Sequence, residues 1–258
     1  MSIFNGFDFD DEELDEEEIS EILNGIRYID ETEYVYHEKY KRLNGGELID
    51  RYEESHENPK VWHKLKKYFV EAHKAPKDFS HSDFISKIAT AKNENELQLY
   101  FKQYPFILTT SVSPAHHGQI CIPKPKLGNQ LEPDFLIAGL DSAGFWWYGV
   151  ELENPNYKMF TKTGEETKEL KHAIRQIQEW RAWLKQNISY AQNTLGFTHI
   201  DADLPCFIFI GRRENEVLSN EVLTERRQQL RASDKHGLFI YHYEWLIDKP
   251  HSYFRVKD

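Results

Sequence analysis

The sequence predicts an α/β fold in which helices flank a mixed β-sheet, preceded by an N-terminal appendage. Three observations predict it. Strand-like apolar segments alternate with long amphipathic patterns at 165–186 and 214–233. The link between the apolar segments 133–140 and 145–153 is short, which favours an antiparallel hairpin. Residues 203–211 form an uninterrupted apolar run, which is typical of a strand inside a covered sheet.

Composition and cysteine usage limit the class of protein. The chain has 258 residues, 40% of them hydrophobic, and six Trp, which is enough for a substantial core. No run of eighteen apolar residues is present, so we expect no membrane span. The N-terminus lacks the basic and apolar regions of a secretory leader, which predicts a cytoplasmic location. Cys121 and Cys206 lie in apolar surroundings and are expected to be buried thiols.

The net charge of −11 does not exclude a nucleic-acid partner. Residues 8–21 are mostly acidic and carry much of the excess, so the remainder is close to neutral. A nearly neutral protein with a local basic groove can still bind phosphates. The acidic segment has two interpretations: a solubilising tail, or a strip that mimics DNA and occupies such a groove.

We assign residues 1–90 to the N-terminal appendage and residues 91–258 to the core. Residues 60–74 are predicted to form a basic amphipathic helix, and residues 77–90 a second, short helix. The core begins with further predicted elements: a helix at 94–104 stopped by Pro105, a β-like segment at 106–113, and strands at 119–122, 133–140 and 145–153.

The second half of the core begins with the helix at 165–186. Its apolar positions predict one buried face, and Gln176 lies on the polar strip beside that face. The strand at 203–211, the Arg-rich helix at 214–233, and a last strand at 238–241 follow. The apolar positions of the first helix are Leu170, Ala173, Ile177, Trp180 and Leu184.

Three acidic residues stand beside apolar strands, where charges are uncommon unless they are paired or at a strand end. Glu151 and Glu153 project to the same side of their strand because strand side chains alternate. Asp134 opens the preceding strand. Carboxylate oxygens suit Mg²⁺, which can lower the pKa of a water and neutralise charge on a phosphodiester. The alternative is that these acids only end strands and meet solvent or Arg side chains.

Several segments resemble the PD-(D/E)xK nuclease superfamily and, more narrowly, the Shedu family of anti-phage nucleases. The resemblance runs from about Glu96 to the C-terminus. It is carried by the following segments in order: ENELQLYFKQYPFIL, PDFLIA, VELENP, FTKTGE, HAIRQIQEWRAWL and IYHYEWL.

This resemblance implies a restriction-endonuclease-like fold and a DNA endonuclease that uses Mg²⁺ or Mn²⁺, with RNA left open as a substrate. It makes Asp134 and Glu151 the metal-binding carboxylates. Gln176, one turn before Trp180, resembles an element that contacts the metal shell or the DNA strand. Glu96 corresponds to an additional acidic ligand in some superfamily members. The resemblance also implies a homo-oligomer.

One position departs from the family pattern. The family's catalytic Lys follows the second acid by two residues, and here that position is Glu153. Another Lys could substitute, with Lys162 the preferred candidate and Lys171 the other. Glu153 could instead bind a second metal ion, or the site could be inactive. If Lys162 substitutes, Lys162→Met should abolish cleavage.

Two alternatives to a nuclease stay open. One is a catalytically inactive protein of the nuclease fold that binds nucleic acid or a partner protein, which the acid at position 153 favours. The other is a hydrolase of another class that uses Glu151 and Glu153 as an acid/base pair. That pair is poorly placed for such chemistry, because two residues on one strand cannot flank a bond from opposite sides.

Overall fold

A six-stranded mixed sheet forms the centre of the protein. Its strands follow one another in chain order across the sheet; the first four are antiparallel neighbours, and the last three run parallel to each other. The strands are β1 (Phe69–Val70), β2 (Gly118–Pro123), β3 (Phe135–Asp141), β4 (Gly144–Leu152), β5 (Cys206–Phe209) and β6 (Leu238–Tyr241).

Six α-helices accompany the sheet within the part of the chain that the structure describes. They are α1 (His81–Thr90), α2 (Glu94–Gln103), α3 (Phe106–Val112), α4 (Lys168–Tyr190), α5 (Asn220–Ser233) and α6 (Trp245–Asp248). This computed structural model describes residues 65, 67–70, 75–76, 78–113, 118–129, 131–141 and 144–249. The acidic segment 8–21 therefore lies outside the described residues. None of the described helices is both long and apolar enough to span a membrane.

Helices cover both faces of the sheet, and each face has its own buried apolar cluster. On one face α4 contributes all five of its predicted apolar positions, and α5 contributes Leu223. On the other face α1, α2 and α3 pack over Phe135, Val150 and Leu152. The prediction of a mixed sheet flanked by helices is therefore confirmed.

The hairpin and the central strand are also confirmed. Strands β3 and β4 pair antiparallel, and β5 lies between β4 and β6 with every residue buried. The approach of α4 to β4 is close at Gly149, where an added Cβ would lie 2.9 Å from Cys206 Sγ and 3.5 Å from the Trp180 ring. Both cysteines are buried and free, as expected.

The prediction of a β-like segment at 106–113 is wrong, because these residues form helix α3. Six of its seven residues are buried, so burial outweighs the β propensity of Ile, Thr and Val. The helical backbone also supplies acceptors for the buried hydroxyls. Thr109 Oγ1 donates to Phe106 O at 3.3 Å, and Ser111 Oγ donates to Ile107 O at 2.6 Å.

The predicted helix at 60–74 is wrong in its described C-terminal part. Phe69 and Val70 form the edge strand β1, which pairs with Gln119 and Ile120 of β2. Pairing with an existing strand satisfies backbone groups that a local amphipathic pattern does not take into account. The rest of that segment lies largely outside the described residues.

Candidate metal centre

Three adjacent strands bring charged residues into one row at the same end of the sheet. In the β2–β3 pairing the last partners are Pro123 and Phe135, so Lys124 and Asp134 come next, and Lys124 N donates to Asp134 O at 2.9 Å. In the β3–β4 pairing Phe135 faces Val150. One residue further along, Asp134 and Glu151 are neighbours across the hairpin.

Asp134 is buried and satisfied by three donors from different parts of the chain. It is 2% exposed. Its Oδ2 accepts the backbone N–H of Leu152 at 2.7 Å, and its Oδ1 accepts Gln98 Nε2 at 3.2 Å. Oδ1 also forms an ion pair with Lys124 Nζ. Burial raises the pKa of Asp134, and the hydrogen bond and charge of Lys124 oppose that rise.

Glu151 is buried with an oxygen that lacks a partner. Its exposure is 5%, and Oε2 has no hydrogen-bond partner within the described part of the chain. Burial, followed by the negative charges of Asp134 and Glu153, raises the pKa of Glu151 well above its ordinary value. A buried acceptor without a donor costs free energy, so this oxygen indicates a missing proton or cation.

Two further acidic residues, Glu153 and Glu94, add negative charge at this end of the sheet. Burial and the charges of Glu94 and Asp134 raise the pKa of Glu153 to about 8. Burial and the charge of Asp134 raise the pKa of Glu94, near the start of α2, to about 7. The backbone of Glu153 is held by its own N–H, which donates to Phe209 O at 2.8 Å, and by Tyr243 Oη, which donates to its carbonyl at 2.6 Å.

Lys124 is the cation that faces this cluster. Burial acts to lower its pKa, but the hydrogen bond and charge of Asp134 outweigh burial and raise the pKa. Its charge in turn opposes the raised pKa values of Asp134, Glu151 and Glu94. The Lys124 side chain is 40% exposed while that of Asp134 is 2% exposed, so the ion pair joins a buried acid to the surface.

A comparison with known protein families shows which family this chain belongs to. The family model of the Shedu protein SduA, C-terminal, matches residues 91–236. The chain belongs to the Shedu family. No curated protein matched the chain. The resemblance inferred from the sequence is therefore confirmed at the level of the Shedu family.

The site residues expected of a Shedu protein are only partly brought together. Asp134, Glu151 and Glu153 share the end of the sheet. Glu96 instead forms an ion pair with Lys87 at 2.9 Å. The hydrogen bond from Lys87 lowers the pKa of Glu96.

The other two expected residues have no described bond to the acids. Lys162 is exposed in the loop between β4 and α4, and no described hydrogen bond or ion pair joins it to the acids. Gln176 is half-buried on α4, about two turns beyond Glu169. Glu169 is one of the negative charges that raise the pKa of Glu153.

Sequence reasoning missed Glu94, Gln98 and Lys124. Glu94 and Gln98 lie one helical turn apart on α2, which is a weak signal in a helix with several polar residues. Lys124 had a clearer signal, because it directly follows the strand that pairs with β3. Pairing that strand with the Asp134 strand would have placed the two residues opposite each other.

The Arg residues near the acidic end of the sheet differ in how exposed they are and in the bonds that they already make. From the sequence, Arg212 and Arg213, with Arg226, Arg227 and Arg231, have two interpretations: a phosphate-binding groove or a solvated face. Arg212 fits neither, because it is 5% exposed and its guanidinium donates to Ile88 O, Ala91 O and Asn156 Oδ1. Arg213 forms an exposed ion pair with Asp248.

The chemistry of the side-chain oxygens present shows whether a divalent cation would fit this site. Among the described residues no three His, Cys, Asp or Glu side chains are already arranged around a common point. The donor set is nevertheless suitable, since carboxylate oxygens are the ligands that Mg²⁺ and Mn²⁺ prefer. The Oε2 of Glu151 is unpartnered, and burial and neighbouring acids raise the pKa values of Glu151 and Glu153, which indicates a site short of positive charge. Asp134 and Glu151 would hold the ion, with Glu153 and Glu94 beside them.

Proposed function

We propose that this Shedu protein is a divalent-metal-dependent DNA endonuclease that hydrolyses phosphodiester bonds in bacterial defence against phage. Family membership links the chain to anti-phage defence. The nuclease activity, the metal ion, the DNA substrate and a homo-oligomeric assembly belong to the proposal. RNA stays open as a substrate.

One observation carries the proposal: Glu151 is a buried carboxylate with an unpartnered oxygen, next to the equally buried Asp134. If Glu151 only ended a strand, its carboxylate would be paired, as that of Asp134 is, or would lie in solvent. Here they face each other across a hairpin, and the charge of Asp134 adds to burial in raising the pKa of Glu151. Such a cluster is costly in the free protein and becomes favourable when a cation joins it.

The arrangement of the sheet supports the same proposal. The two acids come from neighbouring strands, and α2 and α4 bring Glu94 and Glu169 to that end. Two hydrogen bonds at the Glu153 backbone keep the end of β4 in place: its N–H donates to Phe209 O, and its carbonyl accepts the hydroxyl of Tyr243. A rigid strand end positions ligands more accurately than a loop does.

Each residue then has a defined part in hydrolysis. Asp134 and Glu151 would hold a divalent cation, which would supply Lewis-acid charge and lower the pKa of the attacking water. Glu153 would take up the proton that the water loses, once a bound cation has neutralised the cluster and its carboxylate is ionised. Overall one phosphorus–oxygen bond forms to water, one ester bond breaks, and the leaving oxygen gains a proton.

The test compares wild type with Glu151→Gln on linear and supercoiled DNA and on RNA, with Mg²⁺ or Mn²⁺. The substitution keeps shape and removes the charge, so we expect cleavage to fall by about 100-fold or more. Glu225→Gln, on the exposed face of α5, is the matched control and should cleave at the wild-type rate. Equal cleavage by wild type and Glu151→Gln would contradict the proposal.

A protein that binds without cutting is the second candidate. Glu153 at the position of the family's Lys and the absence of a preassembled ligand group among the described residues favour it. Mn²⁺ titration by calorimetry separates the two candidates. Binding that Glu151→Gln weakens supports the nuclease, whereas no binding by the wild type supports the binding module.

A further inference from the structure

We propose that Lys124 supplies the catalytic positive charge of this site, and that in the metal-free protein its ammonium group takes the place of the divalent cation on Asp134. This inference rests on the proposed nuclease function. It assigns the role of the catalytic lysine to the residue that directly follows β2, whereas the family pattern places that lysine two positions after Glu151.

The position of Lys124 follows from strand pairing. It is the first residue beyond β2, opposite Asp134, and Asp134 is in turn the neighbour of Glu151. Three strands thus deliver an ammonium group and two carboxylates in one row. The pairing that creates the hairpin also sets this order, so it does not depend on a mobile loop.

The backbone at Lys124 is unusual and is held in place. Its φ is 48°, in the left-handed region that non-glycine residues seldom adopt. Its N–H donates to Asp134 O at 2.9 Å, and its Nζ pairs with Asp134 Oδ1. Backbone and side chain therefore both attach this residue to the same acid, in a backbone conformation that is costly for a residue other than glycine.

Lys124 is also accessible to a substrate. Its side chain is 40% exposed, whereas Asp134 is buried beneath it. A phosphate group that approaches the acids from solvent would meet repulsion from the carboxylates and attraction from this ammonium group. The cluster needs such a charge, because hydrolysis builds negative charge on the phosphate oxygens.

The two lysines suggested by the sequence lack these contacts. Lys162 and Lys171 are exposed, and among the described residues no hydrogen bond or ion pair joins either of them to the acids. Neither is among the charges that lower the pKa of Asp134, Glu151 or Glu94. Lys124 acts on all three.

The ammonium group of Lys124 has two positions in this proposal, one on Asp134 and one on the substrate phosphate. Lys124 must leave Asp134 Oδ1 before that oxygen can bind a divalent cation, so the two cations compete. Once displaced, the flexible side chain can reach the phosphate, where it stays protonated and neutralises charge while the ester bond breaks. Removing Lys124 should therefore strengthen metal binding and weaken catalysis, a combination that loss of a merely structural ion pair does not produce.

The experiment compares wild type, Lys124→Met and Lys126→Met by Mn²⁺ calorimetry and by DNA cleavage at saturating Mn²⁺. Lys124→Met should bind Mn²⁺ about tenfold more tightly, because a repelling charge is removed and Oδ1 is freed. It should cleave DNA about 100-fold more slowly. Lys126→Met removes an exposed charge two residues away and should match wild type in both measurements.

Each result decides the inference. Wild-type cleavage by Lys124→Met, or Mn²⁺ binding no tighter than that of wild type, overturns it. Lys124→Gln keeps a donor for Asp134 and serves the same comparison if the Met variant does not fold. A wild type that neither binds Mn²⁺ nor cleaves nucleic acid overturns the proposed function as well. A wild type that does both, beside an unchanged Lys124→Met, overturns this inference alone.

Discussion

At the scale of single residues, the acids at the end of the sheet share too few positive charges. Glu151 and Asp134 are almost fully buried, and Glu153 and Glu94 lie close enough to Glu151 to raise its pKa. Lys124 is the cation that faces them. Part of the folding free energy therefore depends on protons that the acids keep in the folded state.

The stability of the metal-free protein should fall as the pH rises. The folded pKa of Glu153 is about 8 and that of Glu94 about 7, against an ordinary value of 4.5. Between these limits the folded state binds more protons than the unfolded state, so the free energy of unfolding decreases with pH. The part of the free energy of unfolding that depends on protonated Glu153 and Glu94 is fully present below about pH 4.5 and is lost progressively up to about pH 8.

Thermal or urea unfolding across this range checks the prediction. Glu153→Gln should raise the free energy of unfolding near pH 8 on the order of 1 to 2 kcal/mol, allowing for solvent screening, and much less near pH 4.5. Glu225→Gln should leave the wild-type slope unchanged. A pH-independent effect of Glu153→Gln would show that this acid is not buried against like charges.

At the scale of elements, Arg181 joins α4 to the strands beneath it. It is 8% exposed. Its guanidinium donates to Leu204 O at 3.2 and 3.0 Å, to Gly237 O at 3.3 Å and to Asp234 Oδ2 at 2.6 Å. These acceptors stand just before β5 and β6, so one side chain sets where both parallel strands begin relative to the helix.

Arg181→Met should destabilise the fold by about 3 to 5 kcal/mol, because it leaves a half-buried carboxylate and buried carbonyls without their donor. Arg175→Met on the same helix is the control. Its ion pair with Glu179 is 3.7 Å long and both side chains are at least half exposed, so the change should cost no more than about 0.5 kcal/mol. Urea unfolding of both variants measures the difference, and similar costs would contradict it.

At the scale of the whole molecule, Arg212 connects the helical layer to the end of the sheet that carries the acids. Its guanidinium binds Ile88 O at 2.7 Å, Asn156 Oδ1 at 2.9 Å and Ala91 O. Asn156 Nδ2 in turn donates to Lys92 O at 2.8 Å. The start of α2, which carries Glu94, is thus fastened to the loop that follows Glu153.

Arg212→Met should destabilise the protein by about 3 kcal/mol or more, since two buried backbone carbonyls, those of Ile88 and Ala91, lose a charged donor. Because Glu94 and Gln98 then lose their fixed position, Mn²⁺ binding should also weaken. Arg213→Met, next in the chain, removes only an exposed ion pair with Asp248 and should change stability by less than about 1 kcal/mol. Unfolding and Mn²⁺ calorimetry on both variants provide the check, and equal behaviour would refute the connection.

Local patterns in the sequence carried much of the fold. The apolar period of α4, the short β3–β4 link and the apolar run of β5 each depend on residues close in the chain, and all three predictions are confirmed. The segment 106–113 failed for the opposite reason. Its β-branched residues favour a strand locally, but packing under the sheet and hydroxyl bonds to its own backbone favour a helix.

The sequence by itself determined which strand ends carry Asp134, Glu151 and Glu153, because side-chain alternation and apolar runs are properties of neighbouring residues. It also indicated the Shedu family, which the family comparison confirms. The tertiary structure alone decided that Lys124 faces these acids, and that Glu94 adjoins them while Glu96 pairs with Lys87. Those relationships depend on strand register and on the placement of α2, which are settled by contacts between residues far apart in the chain.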